Sequence, residues 1–459
     1  FEMTTNDTYP YLFSGFCGGV VGVAQMRFSN VDNIQSEAVK EFELKLINSD
    51  TDINDIYNAN SMMNVLDSSK FGGSRVGGIV GYTKAGLKIN YTSNSASYVD
   101  AAVVGETLVG GFVGDTGDGS FPIMLNYYPI QEDESTGLYV LGKDCVGGAY
   151  GRITIDTVLR NDFNITCSYK VVGRYSVGGL VGVYEGREGN QFSAINVNLV
   201  PEDEIGVYGE GYVGGLVGYT SSCQIGIPYS GYMMNFNNVS INGDYFVGGF
   251  VGGLADCGCR TDAKVTNNLQ FVNRINVGNN VKVNAKCFAG GIAGHYTVLY
   301  GKIEDKDYIK GHNHFTNRDF KPYELIERCE SYESDILTNI FNDIVKKDIY
   351  GEMDWFNKWN RPVTIDFGDY GIDGKYSNNI NVKSDLFAGG LFGYVPEGIK
   401  LTINGFVNNG SIETTSTLPA SVVGVNSCDT PDTKYTFMGS VVGRVPSDMK
   451  LINCSNLKS

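Results

Sequence analysis

The chain has 459 residues, of which 60 are glycine and 11 are proline, and it carries 51 acidic against 35 basic residues. No Gly-X-Y period accompanies the glycines and 42% of the residues are hydrophobic, so collagen and a disordered linker are both excluded. The net charge of −16 argues against nucleic-acid binding, which needs clustered Lys and Arg, and no apolar run reaches the roughly 18–20 residues of a membrane span.

Several signals together favour an extracellular or cell-surface location. The sequence starts at Phe1 rather than Met, which removal of a secretory signal peptide explains; a truncated chain would start in the same way. An even count of ten cysteines without a CxxC pair fits a disulfide framework of open connectivity better than a zinc or redox site. Six asparagines lie in Asn-x-Ser/Thr sequences and are candidates for N-glycosylation: Asn6, Asn90, Asn164, Asn238, Asn409 and Asn453.

A glycine-rich motif recurs along nearly the whole chain, from FCGGVVG at Phe16–Gly22 to FMGSVVG at Phe437–Gly443. A typical copy is YVGGLVG at Tyr212–Gly218. The first glycine of its Gly-Gly or Gly-Ser pair, for which a structural role is predicted, falls at Gly18, Gly77, Gly110, Gly147, Gly178, Gly214, Gly248, Gly290, Gly389 and Gly439. Steps of 31 to 42 residues between Gly77 and Gly290 are typical of a solenoid, propeller or array.

The residues between the motif copies predict an all-β fold. Short segments alternate apolar and polar residues, and every junction contains Gly, Asn or Asp. The motif itself is interpreted as one strand, whose glycines let another layer pack closely. We therefore predict a parallel β-solenoid (β-helix) of about ten glycine-rich repeats; a propeller is the rival, but blades usually carry Trp or Asp signatures that are missing here.

Two segments interrupt the period. An extra loop covers about 23–70, and a larger insertion at 296–380 contains apolar residues at helical spacing from Ile336 to Val345, which predicts a small α-containing subdomain. The predicted organisation is therefore repeats one to eight at 1–295, the insertion at 296–380, and repeats nine and ten at 381–459. Insertions in repeat arrays often form the binding face.

The repeated Gly-Gly-[Leu/Phe/Ile/Val]-Val-Gly pattern resembles the GLUG motif, a glycine-rich repeat of bacterial and protist surface proteins. The resemblance covers about 300–350 residues. It implies an extracellular repeat array, found in some adhesins and in the non-catalytic part of IgA-cleaving metallopeptidases. It implies no chemistry of its own.

Motifs that carry chemistry are weak here. Gly209–Gly214 matches GxGxxG, but no helix follows in the pattern, so the match is a by-product of the repeat. His312 and His314 could supply metal ligands, but there is no HExxH and two loop histidines is the simpler interpretation. Among the acidic loops, weak Ca²⁺ candidates are Asp50, Asp52, Asp366 and Asp369. Apart from Ca²⁺, no cofactor is expected.

Trp355 and Trp359 lie close to Asp354 in the insertion, a combination that sugar-binding sites use. The alternative is that two tryptophans four residues apart form the core of the insertion. Without a nucleophile motif, a catalytic function is not predicted.

Three functions remain open. The first is a non-enzymatic structural protein that self-assembles head to tail into a filament or surface layer, since only about 15 residues flank the motif array at each end and uncapped strand edges invite pairing. The second is an adhesin that binds glycans or a host or cell surface through 296–380. The third is a polysaccharide-active β-helix enzyme.

Overall fold

The structure is a computed structural model. It describes residues 16–18, 21–24, 28–31, 75–83, 87–89, 103–116, 124–125, 139–153, 164–166, 170–192, 196–198, 206–225, 234–237, 239–257, 275–278, 280–299, 363–367, 376–395, 400–415, 418–419, 434–435, 437–444 and 449–457. In these segments all regular structure is β, with no helix. Consequently, none of the described segments contains a helix able to cross a membrane.

Two large parallel sheets dominate the described residues. One of them is called the second sheet here, because its strands follow those of the first sheet within each motif copy. It has ten strands in chain order: Val21–Ala24, Val80–Thr83, Val113–Asp115, Tyr150–Ile153, Val181–Phe192, Val217–Ile225, Val251–Cys257, Ala293–Leu299, Phe392–Tyr394 and Val442–Arg444. The first sheet has sixteen strands: Phe16–Gly18, Arg75–Gly77, Val103–Val104, Thr107–Gly110, Tyr139–Leu141, Asp144–Gly147, Lys170–Val172, Tyr175–Gly178, Val207–Gly214, Ser240–Gly248, Lys282–Ala285, Phe288–Gly290, Asn381–Ser384, Phe387–Gly389, Ile412–Thr414 and Phe437–Gly439.

Smaller parallel sheets continue the path of the chain after the second sheet. They comprise Phe28–Val31, Leu87–Ile89 and Met124–Leu125; Asn164–Thr166, Asn196–Asn198, Met234–Asn237 and Ile275–Val277; Val363–Asp366, Leu401–Asn404 and Met449–Ile452; and Tyr376–Asn378, Phe406–Asn408 and Ser455–Asn456. Among the described strands, Leu418–Pro419 and Lys434–Tyr435 form the one antiparallel pair. Parallel strands stacked in chain order are compatible with the predicted β-solenoid.

The motif is a bend between the two large sheets and not the single strand expected from its alternation. In the copy at Tyr212–Gly218, the first strand ends at Gly214 and the second begins at Val217. Gly215 and Leu216 form the corner. We call one motif copy, with the two strands that it joins, a layer.

The residue after the glycine pair fills the interior of each corner. These side chains are at most 3% exposed: Ile79, Phe112, Ala149, Leu180, Leu216, Phe250, Ile292, Leu391 and Val441. Backbone bonds hold successive corners together, for example Leu216 N–H to the Phe250 oxygen at 2.9 Å. The core therefore runs along the stack, because the same motif position is buried in every layer.

The predicted insertion at 296–380 contains two strands of the parallel stack. Val363–Asp366 pairs with Leu401–Asn404, and Tyr376–Asn378 pairs with Phe406–Asn408. The structure thus extends the stack into the range assigned to the insertion. The segment with helical spacing, Ile336–Val345, lies outside the described residues, as does most of the extra loop at about 23–70.

Candidate functional site

The ten predicted motif glycines form one unbroken ladder in the first sheet. Each pairs in register with the next, from Gly18 opposite Gly77 to Gly389 opposite Gly439. A β-carbon added at Gly214 would lie 2.0 Å from the Val217 oxygen and 2.7 Å from the Gly252 nitrogen. Glycine is required there because the bend and the next layer both bring backbone atoms into the space of a side chain.

Two columns of side chains run along the stack, and we call them together the seam. The first-sheet column is the first position of the motif: Arg75, Leu108, Cys145, Ser176, Tyr212, Phe246, Phe288 and Phe387. The second-sheet column holds Tyr82, Asp115, Arg152, Val183, Tyr219, Gly253, His295, Tyr394 and Arg444. Ring contacts and ion pairs join the two columns near both ends.

A left-handed backbone conformation shapes the first column in five successive layers. Leu108, Cys145, Ser176, Tyr212 and Phe246 have φ between 52° and 56°. Such values cost energy for residues other than glycine. The residue at this position is not paired in the strand ladder. On either side of Leu108, for example, Thr107 pairs with Asp144 and Val109 pairs with Val146. The register is the same on both sides of this residue, so the left-handed conformation recurs in each strand without an inserted residue. It determines where the side chain points, and Tyr212 contacts the ring of Tyr219.

The end of the seam nearest the first layers is charged. The buried Asp115 carboxylate accepts two hydrogen bonds from Arg152, at 3.0 and 2.8 Å, and one from Arg75 Nε at 2.7 Å. The side chain of Asp115 is 0% exposed, whereas those of Arg75 and Arg152 are 29% and 18% exposed. The three residues belong to three successive layers, so this ion cluster fastens the layers to one another.

The loss of this carboxylate charge is expected to destabilise the chain. Asp115→Asn keeps the size of the side chain but leaves two guanidinium groups without their counter-charge, which should lower the free energy of unfolding by about 2–3 kcal/mol. Glu106→Gln is the matched control, because Glu106 is 47% exposed and 3.6 Å from Lys143, so its loss should cost less than about 1 kcal/mol. Denaturant unfolding measures both, and equal effects would contradict a special role for Asp115.

The other end of the seam is aromatic. The rings of Tyr212, Phe246, Phe288 and Phe387 stack in sequence with centroids 5.0 to 5.3 Å apart. The Arg444 guanidinium lies 5.9 Å above the ring of Phe387. A β-carbon at Gly253 would lie 2.4 Å from Cδ1 of Tyr212, so this glycine makes room for the tyrosine ring.

His295 lies within the aromatic part of the seam, in the strand Ala293–Leu299. Its ring lies 5.1 Å from Phe246 and stacks on Tyr394 at 5.7 Å. It is fully buried, and neither ring nitrogen has a hydrogen-bond partner among the described residues. Burial lowers the pKa of His295 from 6.5 to about 3, so the imidazole is neutral at pH 7.

Asparagines form a second ladder that the sequence analysis missed. Asn408 Nδ2 donates to Asn456 Oδ1 at 2.9 Å, and Asn378 Nδ2 donates to the Gly390 oxygen at 2.8 Å. Asn378 and Asn408 are both 0% exposed. The recurring Asn-Asn pairs at 237–238, 279–280, 378–379 and 408–409 were the available signal.

Among the other predicted ligand-binding residues, Asp366 is the one that lies in the described segments. Asp366 is half-buried and accepts a hydrogen bond from Asn404 Nδ2 at 2.9 Å. The described segments hold no group of three His, Cys, Asp or Glu that could bind a metal ion. The remaining ligand candidates lie outside the described residues: Asp50, Asp52, Asp369, Asp354, Trp355, Trp359, His312 and His314.

Two of the six candidate glycosylation sites have described side chains. Asn453 is exposed, and its Nδ2 lies 3.2 Å from Asn404 Oδ1. Asn409 is half-buried and donates to Asn379 Oδ1 at 2.9 Å. Asn164 is described through the backbone of its strand, while Asn6, Asn90 and Asn238 lie outside the described residues.

Large apolar side chains are exposed at the outer edge of the last described layer. Within the described segments, its strands Phe437–Gly439 and Val442–Arg444 pair on one side only, as do the two strands that follow them, Met449–Ile452 and Ser455–Asn456. Met438 and Leu451 occupy columns whose inner members, Ala388 and Ile403, are 0% exposed. Yet Met438 is 55% and Leu451 is 44% exposed, and Leu457 beside them is 68% exposed. Columns of side chains that are buried in the inner layers therefore end in exposed side chains at this edge.

Comparisons of the chain with protein-family models, with curated protein sequences and with solved structures gave no match.

Proposed function

We propose that the chain is a non-enzymatic, secreted structural protein of the GLUG-repeat type. In this proposal it is a parallel β-solenoid of about ten repeats that associates end to end with further copies of itself. The contact is made by the outer edge of the last described layer. The partner surface is the outer edge of the first layer of a second copy, where Phe16–Gly18 and Val21–Ala24 also pair on one side only among the described residues.

The observation that carries this proposal is the exposure of core columns at one edge. Met438 and Leu451 lie on columns that every inner layer buries. Burial of apolar surface contributes about 25 cal/mol per Å², and unpaired strand edges add backbone hydrogen bonds to such a contact. The same motif, FCGGVVG, begins the first layer, so a second copy offers matching strands.

The test is the mass of the particle across protein concentrations, measured by sedimentation velocity and electron microscopy. The wild-type chain is expected to associate end to end. The double variant Met438→Lys/Leu451→Lys should raise the dissociation constant at least about tenfold, because it places charges in the contact. Thr364→Lys, on an exposed position two strands away from Met449–Ile452 in the same sheet, is the control and should associate like wild type. A wild-type chain that stays monomeric at high concentration would overturn the proposal.

A further inference from the structure

Ser440 interrupts a column of glycines at the edge just described. It stands at the second position of the glycine pair, which is glycine in each of the nine other motif copies. Inside the stack, a β-carbon at Gly249 would lie 2.1 Å from the Gly291 oxygen. A β-carbon added at Gly291 would lie 2.1 Å from the Gly390 oxygen, and one added at Gly390 would lie 2.3 Å from the Ser440 oxygen. The β-carbon position therefore always points at the carbonyl group of the following layer.

The corner that contains Ser440 repeats the geometry of the inner corners. Leu391 N–H donates to the Val441 oxygen at 2.8 Å, just as Ile292 N–H donates to the Leu391 oxygen at 2.9 Å. Gly389 also pairs in register with Gly439. The real β-carbon of Ser440 consequently points away from the stack, toward the position of a carbonyl group in any layer added in the same register. A separation near 2 Å is far shorter than van der Waals contact.

We infer that Ser440 is a steric stop that prevents the first layer of a second copy from docking in register at this corner. The inference rests on the end-to-end contact proposed above and concerns its regulation. The motif copies FMGSVVG and FCGGVVG both supply the first and last glycines, which the close packing of layers requires. With Ser440 in place, the contact lacks a continuous backbone ladder through the corner. It is therefore weak and reversible.

Arg444 reinforces the stop. It occupies the second-sheet column at the same edge, and its guanidinium covers the ring of Phe387, the last described member of the aromatic stack. Charged residues on edge strands oppose the pairing of further strands. Two different features of this edge thus restrain strand addition, while Met438 remains 55% exposed.

The test compares Ser440→Gly and Ser440→Ala with the wild-type chain. Ser440→Gly removes the β-carbon and should lower the dissociation constant for end-to-end association at least about tenfold, with longer particles in electron microscopy. Ser440→Ala keeps the β-carbon and should associate like wild type. If Ser440→Ala strengthened association as much as Ser440→Gly, the hydroxyl group would be responsible and the steric stop would be wrong. Equal association of Ser440→Gly and wild type would also overturn it.

Thiol crosslinking identifies the partner layer. In register, Met438 would face Cys17 of the second copy, since both precede the first glycine of their motif by one residue. The double variant Met438→Cys/Ser440→Gly should therefore form a crosslinked dimer that disappears when Cys17 is changed to Ser. Assembly without this crosslink would overturn the assigned partner layer.

The outcomes separate the stop from the proposed function. If the wild-type chain is monomeric and the Ser440→Gly variant associates, the proposed structural function is wrong and the steric stop is supported. If the wild-type chain associates and Ser440→Gly leaves the dissociation constant unchanged, the proposed function is supported and the steric stop is wrong.

Discussion

Gly249→Ser is expected to lower the free energy of unfolding by at least about 3 kcal/mol. The added β-carbon would lie 2.1 Å from the Gly291 oxygen and 2.5 Å from Cδ1 of Ile380. The Ile380 side chain can move, but the Gly291 carbonyl group is fixed. Gly249 N–H donates to the Gly290 oxygen and Phe250 N–H donates to the Ile292 oxygen, each at 3.0 Å, so hydrogen bonds hold the following layer on both sides of Gly291. The two layers must therefore separate. Denaturant unfolding followed by circular dichroism measures the loss.

Ser440→Ala is the matched control for Gly249→Ser. The two positions occupy the same column of the corner, but no described layer covers Ser440. The change removes only a hydroxyl group and should alter the free energy of unfolding by less than about 0.5 kcal/mol. If Gly249→Ser were equally mild, the requirement for glycine inside the stack would be refuted.

Acid is expected to destabilise the chain through His295. Its pKa is about 3 in the folded chain, against 6.5 for an ordinary histidine. Below pH 6.5 the unfolded chain therefore binds a proton that the folded chain does not, so stability falls as the pH drops from 6.5 toward 3. The loss over this window is about 5 kcal/mol. Above pH 6.5 both states are neutral at this residue and the contribution does not change.

His295→Phe isolates this effect from the titration of the many carboxylates. The variant keeps an aromatic ring beside Phe246 and Tyr394 but has no proton to bind. Its free energy of unfolding should fall less than that of the wild-type chain between pH 6.5 and pH 3. Parallel pH dependences for the two proteins would show that His295 does not titrate as described.

Much of the fold can be predicted from the sequence, because the stacking of layers depends on glycine at a repeated position. Glycine at Gly77, Gly110 and Gly147 predicts a column, and these residues pair in register. The corner differs from the expected single strand, because alternating apolar residues on both sides of Gly-Gly are also typical of a continuous strand. The pair itself was the better signal, since glycine in a strand often marks a bend.

The seam could not be predicted because its members share a position and not a residue type. Arg75, Cys145, Ser176 and Tyr212 have no common chemistry, and only the register of the two sheets brings them into columns. The environment of His295 depends in the same way on Tyr394, which comes from the following layer. A pairing that distant in sequence leaves no local pattern.

The ion cluster around Asp115 has a consequence for how the chain unfolds. Repeat stacks are usually described by contacts between nearest neighbours, so that a terminal repeat can unfold while the next remains intact. Here one carboxylate binds Arg75 from the preceding layer and Arg152 from the following layer. Fraying of the layer of Arg75 breaks one of the three bonds to Asp115 and exposes the carboxylate to water, which weakens the two bonds that Arg152 donates to it. Cooperative unfolding therefore extends over at least three layers at this end, and amide hydrogen exchange there should report one shared opening free energy instead of a gradient.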